Sequence, residues 1–520
     1  MQFIQQISNP DLQNSERKNL YYGQANTANL QKALEVENEV FWNKKGERKA
    51  LKLFHSAAER VPAYKDFLKK NKINHEKIKI IDDFKRVPIT NKENYVKSYS
   101  VVDRCWDGEL STSTLISTSS GTSGEPTFWP RGYQQELEAG IIHKLIYKHL
   151  FKVGKYKTLL VICFPMGVYV SGIATVLPSW LAAAQQKNLT IVTVGNNKSD
   201  ALRVISNLQK DFEQVILIGH PFFIKDIIET GRSNGIDWSA KELRIMFCSG
   251  SFNEVWRRYI MNEAGLKKED YAHIISTYGS SEMLLIGHET PVSIFSRVLM
   301  EEYSEIRLML QDSQTVPNLF QYNPLIRYIE NENNELIFTS NSGLPLIRFN
   351  LHDRGEVISF GQMSNHIAKI VPKWQQELKS LKEKYPLWQL PFVTLYGRSD
   401  YTVKFYAANI YPENIQAALN QKNFISKLTG KFTLNKDYNR NMDEYLEINI
   451  ELTPSIVSTA RLEISLKNEI TKKLKEVNHE YNDAAQHHLG KDLSPRIRLW
   501  PYQDEKYFKP GSKPKYIWQK

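Results

Sequence analysis

Thr158-Leu159-Leu160-Val161-Ile162-Cys163-Phe164 is a short uncharged run of large apolar and β-branched side chains. It has the length and content of a strand buried on both faces of a parallel sheet. Residues 158–184 carry no charge, a length that passes for a membrane span, but Pro165, Gly167, Gly172 and Pro178 punctuate them. The reading is therefore strand, turn and helix, with no membrane partner. Further apolar runs at 189–194, 215–219 and 245–248 repeat the strand pattern, and Leu137, Ile141 and Leu145, with Ile142 and Ile146, align at helical spacing. Strands alternating with amphipathic helices imply an α/β fold: a sheet with helices layered on its faces.

The chain has 520 residues, enough for two to four domains at roughly 150 each, and its 41% apolar and 24% charged content is that of a globular protein with a filled core. Lys and Arg number 68 against 57 Asp and Glu, a net +11 with no basic block or stripe. No nucleic-acid partner is expected, and anionic small molecules are natural ligands. Cys105, Cys163 and Cys248 are too few for a disulfide scaffold and too far apart for paired metal ligands. The N-terminus shows no signal-peptide pattern, so a reducing, cytoplasmic setting is expected.

Residues 1–110 are polar, helix-patterned and without recognisable chemistry. From 325 to 349 strands are joined by polar turns, and a polar helix is expected over 373–384. Near the C-terminus, Leu446, Ile448, Ile450 and Leu452 alternate with Glu447, Asn449 and Glu451, as in a half-buried strand. Leu462, Leu466, Ile470, Leu474 and Val477 then mark a helix, and 497–500 a further strand. The expected division is a large N-terminal domain of layered sheets and helices, 1–396, and a smaller mobile αβ domain, 398–520.

Ser117-Thr118-Ser119-Ser120-Gly121-Thr122-Ser123-Gly124-Glu125-Pro126-Thr127 is the most telling string. Its glycines let backbone N–H groups approach an anion, and its hydroxyls add donors, which suits a phosphate cradle. No Gly-Lys-Ser/Thr closes it, so it is not a Walker loop. The string resembles the phosphate loop of the adenylate-forming enzymes, the superfamily of acyl-CoA synthetases and luciferases, and its form is closest to the phenylacetate-CoA ligase branch. Four more segments follow in the order of that family: Ser249-Gly250-Ser251-Phe252, Thr277-Tyr278-Gly279-Ser280-Ser281-Glu282, Ile347-Arg348-Phe349-Asn350-Leu351-His352-Asp353 and Gly397-Arg398-Ser399-Asp400. The resemblance covers residues 110–520.

The resemblance implies roles residue by residue. Ser119, Ser120, Gly121, Thr122, Ser123, Gly124 and Thr127 would hold phosphate, and Ser249, Gly250 and Ser251 would contact adenine. Tyr278, with Gly279 and Ser281, would lie against the base, Glu282 would hold Mg2+, and Asp353 would accept hydrogen bonds from the ribose hydroxyls. Arg398 and Lys404 would contact ribose or phosphate, and Asp400 would be the hinge. A carboxylate suits both ribose hydroxyls and a hard cation, and an Arg fork is not reproduced by Lys.

In Phe508-Lys509-Pro510-Gly511-Ser512-Lys513-Pro514-Lys515-Tyr516-Ile517 the Lys at 513 best matches the catalytic lysine of the family, with Lys515 the second choice. The implied reaction joins a carboxylic acid to ATP with release of pyrophosphate, then passes the acyl group to a thiol: an acid–thiol ligase. CoA is the expected acceptor. Two positions depart from the pattern. Glu125 stands where the family commonly has Lys, leaving Lys144, Arg131 or Lys404 to compensate. Ala407 stands where the family usually has Gly in the strand lining the pantetheine tunnel, which favours a carrier-protein thiol or an amine as alternative acceptor.

Phe164, Tyr169, Tyr278 and Gly279 are the expected acyl-pocket residues, with His220 to Phe223 a third candidate wall, and their aromatic character suits an aryl or arylacetic acid. His288 follows the Glu282 motif, although a lone histidine is more often structural. No metal beyond magnesium is expected, and the chain is either a monomer or a homodimer. A non-catalytic nucleotide-binding relative is the remaining alternative.

Overall fold

The computed structural model describes residues 27–113, 115–119, 127–167, 170–248, 252–267, 270–313, 316–398, 403–406, 408–419, 421, 423–424, 427–454, 456–487, 492–504 and 506–508. The chain divides into two compact units: residues 1–119 with 128–397, and residues 120–127 with 398–520.

The described residues of the first unit begin with three helices, α1 (Thr27–Val36), α2 (Glu39–Arg60) and α3 (Pro62–Lys70). Asn38 caps α2 by accepting from the N–H groups of Val40 and Phe41, and Pro62 both ends α2 and starts α3, where its missing N–H has no cost. A hairpin, β1 (Leu115–Ser119) and β2 (Thr127–Arg131), is followed by α4 (Tyr133–Leu145), which is buried along most of its length. The alternation expected from sequence then appears: β3 (Thr158–Cys163), α5 (Val170–Gln185), β4 (Leu189–Thr193), α6 (Lys198–Leu208), β5 (Gln214–Gly219), α7 (Pro221–Ser233), β6 (Glu242–Cys248), α8 (Glu254–Glu263) and β7 (Ile274–Ser280).

The second half of the unit is antiparallel. It comprises β8 (Leu284–His288), α9 (Pro291–Glu302), β9 (Asn318–Gln321), β10 (Tyr328–Glu332), β11 (Glu335–Ser340), β12 (Leu346–Arg354), β13 (Val357–Ile358), α10 (Phe360–Ile370), α11 (Trp374–Lys384) and β14 (Phe392–Leu395). A nine-stranded sheet runs in the order β13-β14-β9-β8-β7-β6-β5-β3-β4. From β4 to β7 its neighbours are parallel, and from β7 to β13 they are antiparallel. Every residue of β3 and β5 is buried, as a strand covered by helices on both faces requires. Burying each such Leu, Ile or Val contributes about 1.5–3 kcal/mol of transfer free energy. Among the described helices none is long and apolar enough to cross a membrane.

The second unit holds β15 (Gly397–Arg398) in part, then β16 (Val403–Phe405), β17 (Ala408–Ile410), α12 (Pro412–Leu419), β18 (Leu428–Tyr438), β19 (Glu444–Leu452), α13 (Ala460–Val477), α14 (His479–His487) and β20 (Arg496–Trp500). β18 and β19 pair antiparallel, and β20 joins β19 in parallel. Leu446, Ile448, Ile450 and Leu452 are buried on β19, and Leu466, Ile470 and Leu474 form the buried stripe of α13.

Candidate active site

The described part of the site is built on the tight connection between β7 and β8. A register shift at Tyr278 and Gly279 interrupts the pairing. A Cβ on Gly279 would lie 2.7 Å from the Leu284 carbonyl oxygen, so only glycine lets the two strands close this far. Leu284 takes a left-handed backbone, φ 60°, and the Met283 N–H donates to Ser280 Oγ at 3.2 Å. This turn carries Ser281, half-buried, and Glu282, buried.

Tyr278, which leads into the turn, sits in an aromatic cluster. Its ring stacks on Phe320 at 5.6 Å and meets Phe338 edge-on at 6.3 Å. Its hydroxyl donates to Asp353 Oδ2 at 2.5 Å. Asp353 is aimed inward because β12 kinks just before it: His352 has φ 62°, and its N–H turns back to Asn350 Oδ1 at 2.6 Å. Thus two sequence-predicted residues from separate motifs meet directly.

Glu282 is paired with Lys92, whose Nζ lies 3.0 Å from Glu282 Oε1, with the two side chains 27% and 5% exposed. Sequence reading did not find Lys92. It begins a one-turn π-helix, Lys92–Val96, capped reciprocally by Asn91 and Asn94. Thr90 ties that turn to β12: its N–H donates to Arg348 O, its carbonyl accepts from Asn350 N, and its hydroxyl donates to Ile347 O. β12 therefore positions both Asp353 and the segment bearing Lys92. Arg348 itself is structural. Buried and at φ 45°, its guanidinium holds Glu330 and Glu332 and the carbonyls of Lys85 and Val87.

The backbone of the turn is held from behind. Gln135 Nε2 donates to Glu282 O at 3.4 Å, and Arg327 Nη2 to Met283 O at 2.7 Å. Beyond β7, Glu254, Glu289, Arg257 and Arg297 form a buried charge network, in which Arg257 bridges Glu254 and Glu289 and Arg297 donates to Phe252 O. Burial works against the Glu254 carboxylate, but Arg257 and Arg297 outweigh it and lower its pKa. Glu289 also accepts the Ser276 N–H at 2.7 Å, fixing the strand that leads into Tyr278.

Several expectations meet a different environment. Arg131 was a candidate to compensate for Glu125, but it is 1% exposed and its fork is taken by both oxygens of Glu136, with Nη1 on Ser117 Oγ. Burial raises the Glu136 pKa against the pull of Arg131. Lys144 donates to Gln185 at 2.7 Å. Lys404 is exposed on β16 of the second unit. Phe164 is buried in the cluster of Ile162 and Ile218. His288 is buried with Nδ1 on Glu289 O, and burial holds its pKa down at about 4, so it is a neutral core histidine. Thr127 opens β2, and Ser119 and Arg398 are terminal residues of β1 and β15. Ser120, Gly121, Thr122, Ser123, Gly124, Glu125, Tyr169, Ser249, Gly250, Ser251, Asp400, Ala407, Lys513 and Lys515 lie outside the described residues.

No protein-family model and no curated protein matches the chain. Among solved structures it is similar to 2-hydroxyisobutyryl-CoA ligase in complex with 2-HIB-AMP and CoA in the thioesterification state, with TM-score 0.62 and 15% identity over 94% of this chain and 91% of that one. The same ligase in the postadenylation state with R3-HIB-AMP gives TM-score 0.52 and 14% identity over 94% and 92% of the two chains. At this identity the likeness is one of fold, and it spans nearly the whole of both proteins. The fold is that of a CoA ligase: a large sheet-and-helix unit followed by a smaller αβ one.

Proposed function

We propose that this chain is an acyl-adenylate-forming acid–thiol ligase similar to the phenylacetate-CoA ligases, acting in the cytoplasm. The observation that carries the reading is the meeting of Tyr278 with Asp353 beside the turn that bears Glu282, in a chain that shares its fold with a CoA ligase. Asp353, acceptor-only when ionised, takes the ribose hydroxyls of ATP while the Tyr278 hydroxyl fixes its orientation. Ser119, Ser120, Gly121, Thr122, Ser123, Gly124 and Thr127 cradle the phosphates, and Ser249, Gly250 and Ser251 border adenine.

Glu282, whose Oε1 is paired with Lys92, would hold a magnesium ion carried in with the nucleotide, since a carboxylate is a hard oxygen donor. Such an ion, when bound, neutralises charge on the phosphate oxygens. In the first half-reaction a carboxylate oxygen of the acid attacks the α-phosphorus, and the bond to pyrophosphate breaks. Lys513 supplies a mobile positive charge to the oxygens that gain charge as this happens, with Arg398 and Lys404 beside the ribose and phosphates. In the second, a thiol sulfur attacks the acyl carbonyl and AMP leaves. Movement of residues 398–520 about Asp400 exchanges Lys513 for the acceptor between the two steps. The thiol is that of CoA, and the acid is aryl or arylacetic, bounded by Tyr169, Tyr278 and Gly279.

The test is acid-dependent exchange of labelled pyrophosphate into ATP, followed by product analysis with CoA. The acid panel includes arylacetic acids and, because the similar ligase is crystallised with 2-HIB-AMP, short hydroxy acids. Absence of exchange with every acid of the panel, alongside retained ATP binding, would instead support a nucleotide-binding protein without this activity.

A further inference from the structure

A chain of buried charges leads from α2 to the turn bearing Glu282. Lys49 Nζ donates to Glu138 Oε1 at 2.6 Å, and Arg327 Nη1 donates to Glu138 Oε2 at 2.5 Å. Arg327 Nη2 then donates to Met283 O at 2.7 Å, the carbonyl immediately after Glu282. Glu138 and Arg327 are both 0% exposed and Lys49 is 7% exposed. With two cations and one carboxylate, the group is more costly to bury than apolar residues of the same size. Its geometry is nonetheless tightly set, because each Glu138 oxygen has its own donor and the Arg327 guanidinium donates to Glu138 Oε2, Ile326 O and Met283 O.

The backbone is shaped to permit this reach. Gly46, one turn before Lys49 on α2, faces Pro324, and a Cβ there would fall 2.6 Å from the Pro324 carbonyl oxygen. The loop pressed against it is a single turn in which Arg327 N–H donates to Asn323 O at 3.0 Å. Leu30, Leu34 and Trp42 from α1 and α2 share a core cluster with Leu137, Ile141 and Leu145 of α4 and Leu325. The helical N-terminal region, which carries no chemistry of its own in sequence, is packed directly on the residues that hold the Glu282 turn.

We propose that Arg327 is a positioning residue for Glu282, and that α2 holds Arg327 in place through Lys49 and Glu138. Gln135, on the adjacent carbonyl of Glu282, is the second anchor. The proposal rests on the reading of Glu282 as the carboxylate that holds a divalent cation. Arg327→Lys separates positioning from folding, since a lysine keeps a positive charge on Glu138 but cannot bridge to Met283 O as well.

The experiment titrates Mn2+ against the full-length protein and a non-hydrolysable ATP analogue, followed by electron paramagnetic resonance. Metal-free binding of the analogue is measured separately by calorimetry. Arg327→Lys is expected to raise the Mn2+ half-saturation about tenfold or more, the scale for removing an outer partner of a metal ligand, with metal-free nucleotide affinity unchanged within about twofold. Lys49→Met, at the far end of the chain of charges, is expected to act in the same direction more weakly, and it decides the matter if Arg327→Lys does not fold. Unchanged Mn2+ affinity in the folded variants, with Glu282→Gln weakening it, overturns the positioning role alone. Unchanged affinity in Glu282→Gln overturns the reading of the carboxylate beneath it.

Discussion

Lys92 Nζ lies 3.0 Å from Glu282 Oε1 although the two residues belong to distant parts of the chain, a polar N-terminal turn and the β7–β8 connection. Glu282 is nearly enclosed and Lys92 partly so, which places a positive charge beside the one carboxylate assigned to a cation. Lys92→Met leaves that carboxylate without this donor, an effect worth about 1–3 kcal/mol for a buried polar group losing its partner. Pyrophosphate exchange is expected to fall at least tenfold. Exchange at the parental rate would remove Lys92 from the site.

Tyr278→Phe deletes the hydroxyl that donates to Asp353 while keeping the ring on Phe320 and Phe338. A hydrogen bond to a charged group contributes about 1.5–3 kcal/mol. The expected result is a KM for ATP raised about tenfold with the KM for the acid little changed. An equal rise in both would point to collapse of the whole turn instead.

Gly279→Ala drives a Cβ to 2.7 Å from backbone at Leu284, which no side-chain rotation relieves. Overpacking of this kind costs about 1–3 kcal/mol, read as a lowered denaturant midpoint with the m-value unchanged. A midpoint equal to that of the parent would show that the hairpin is not closed as described.

His143 and His288 are both buried, and burial lowers each imidazole from 6.5 to about 4. Above 6.5 neither state is protonated at these groups and they add no pH dependence. As pH falls from about 6.5 to about 4 the unfolded chain binds protons that the folded one does not, so stability declines. The decline is on the order of 3 kcal/mol per imidazole over the window. Thermal midpoints recorded across that range should slope downward, and His143→Asn should reduce the slope. A flat profile would place these rings in contact with water.

The parallel half of the sheet was legible because a strand buried on both faces has to be apolar along its whole length, and β3 and β5 are. Tyr278, Glu282 and Asp353 were singled out by ordered motifs, but their contacts could not be read there. That Tyr278 bonds Asp353 depends on the kink at His352, which leaves no mark in residue type. Lys92 was hidden among the many lysines of a polar region. Arg131 was misread as an available cation because Glu136, five residues on, is reached only through the path of the chain from β2 into α4. Glu138 offered a usable signal: a carboxylate within the apolar face of Leu137, Ile141 and Ile142 demands a cationic partner, which proved to be Arg327 together with Lys49.

Acid-dependent pyrophosphate exchange, measured for the parent chain and for Lys513→Ala, tests the adenylating activity most directly. The parent should exchange with at least one acid of the panel, and the variant should do so about 10² to 10³ more slowly, the scale for losing one preorganised electrostatic group, while still passing supplied acyl-adenylate to the thiol. Parental exchange in the Lys513→Ala variant would contradict the assignment of that lysine. A parent that binds ATP yet exchanges with none of the acids would contradict the activity itself.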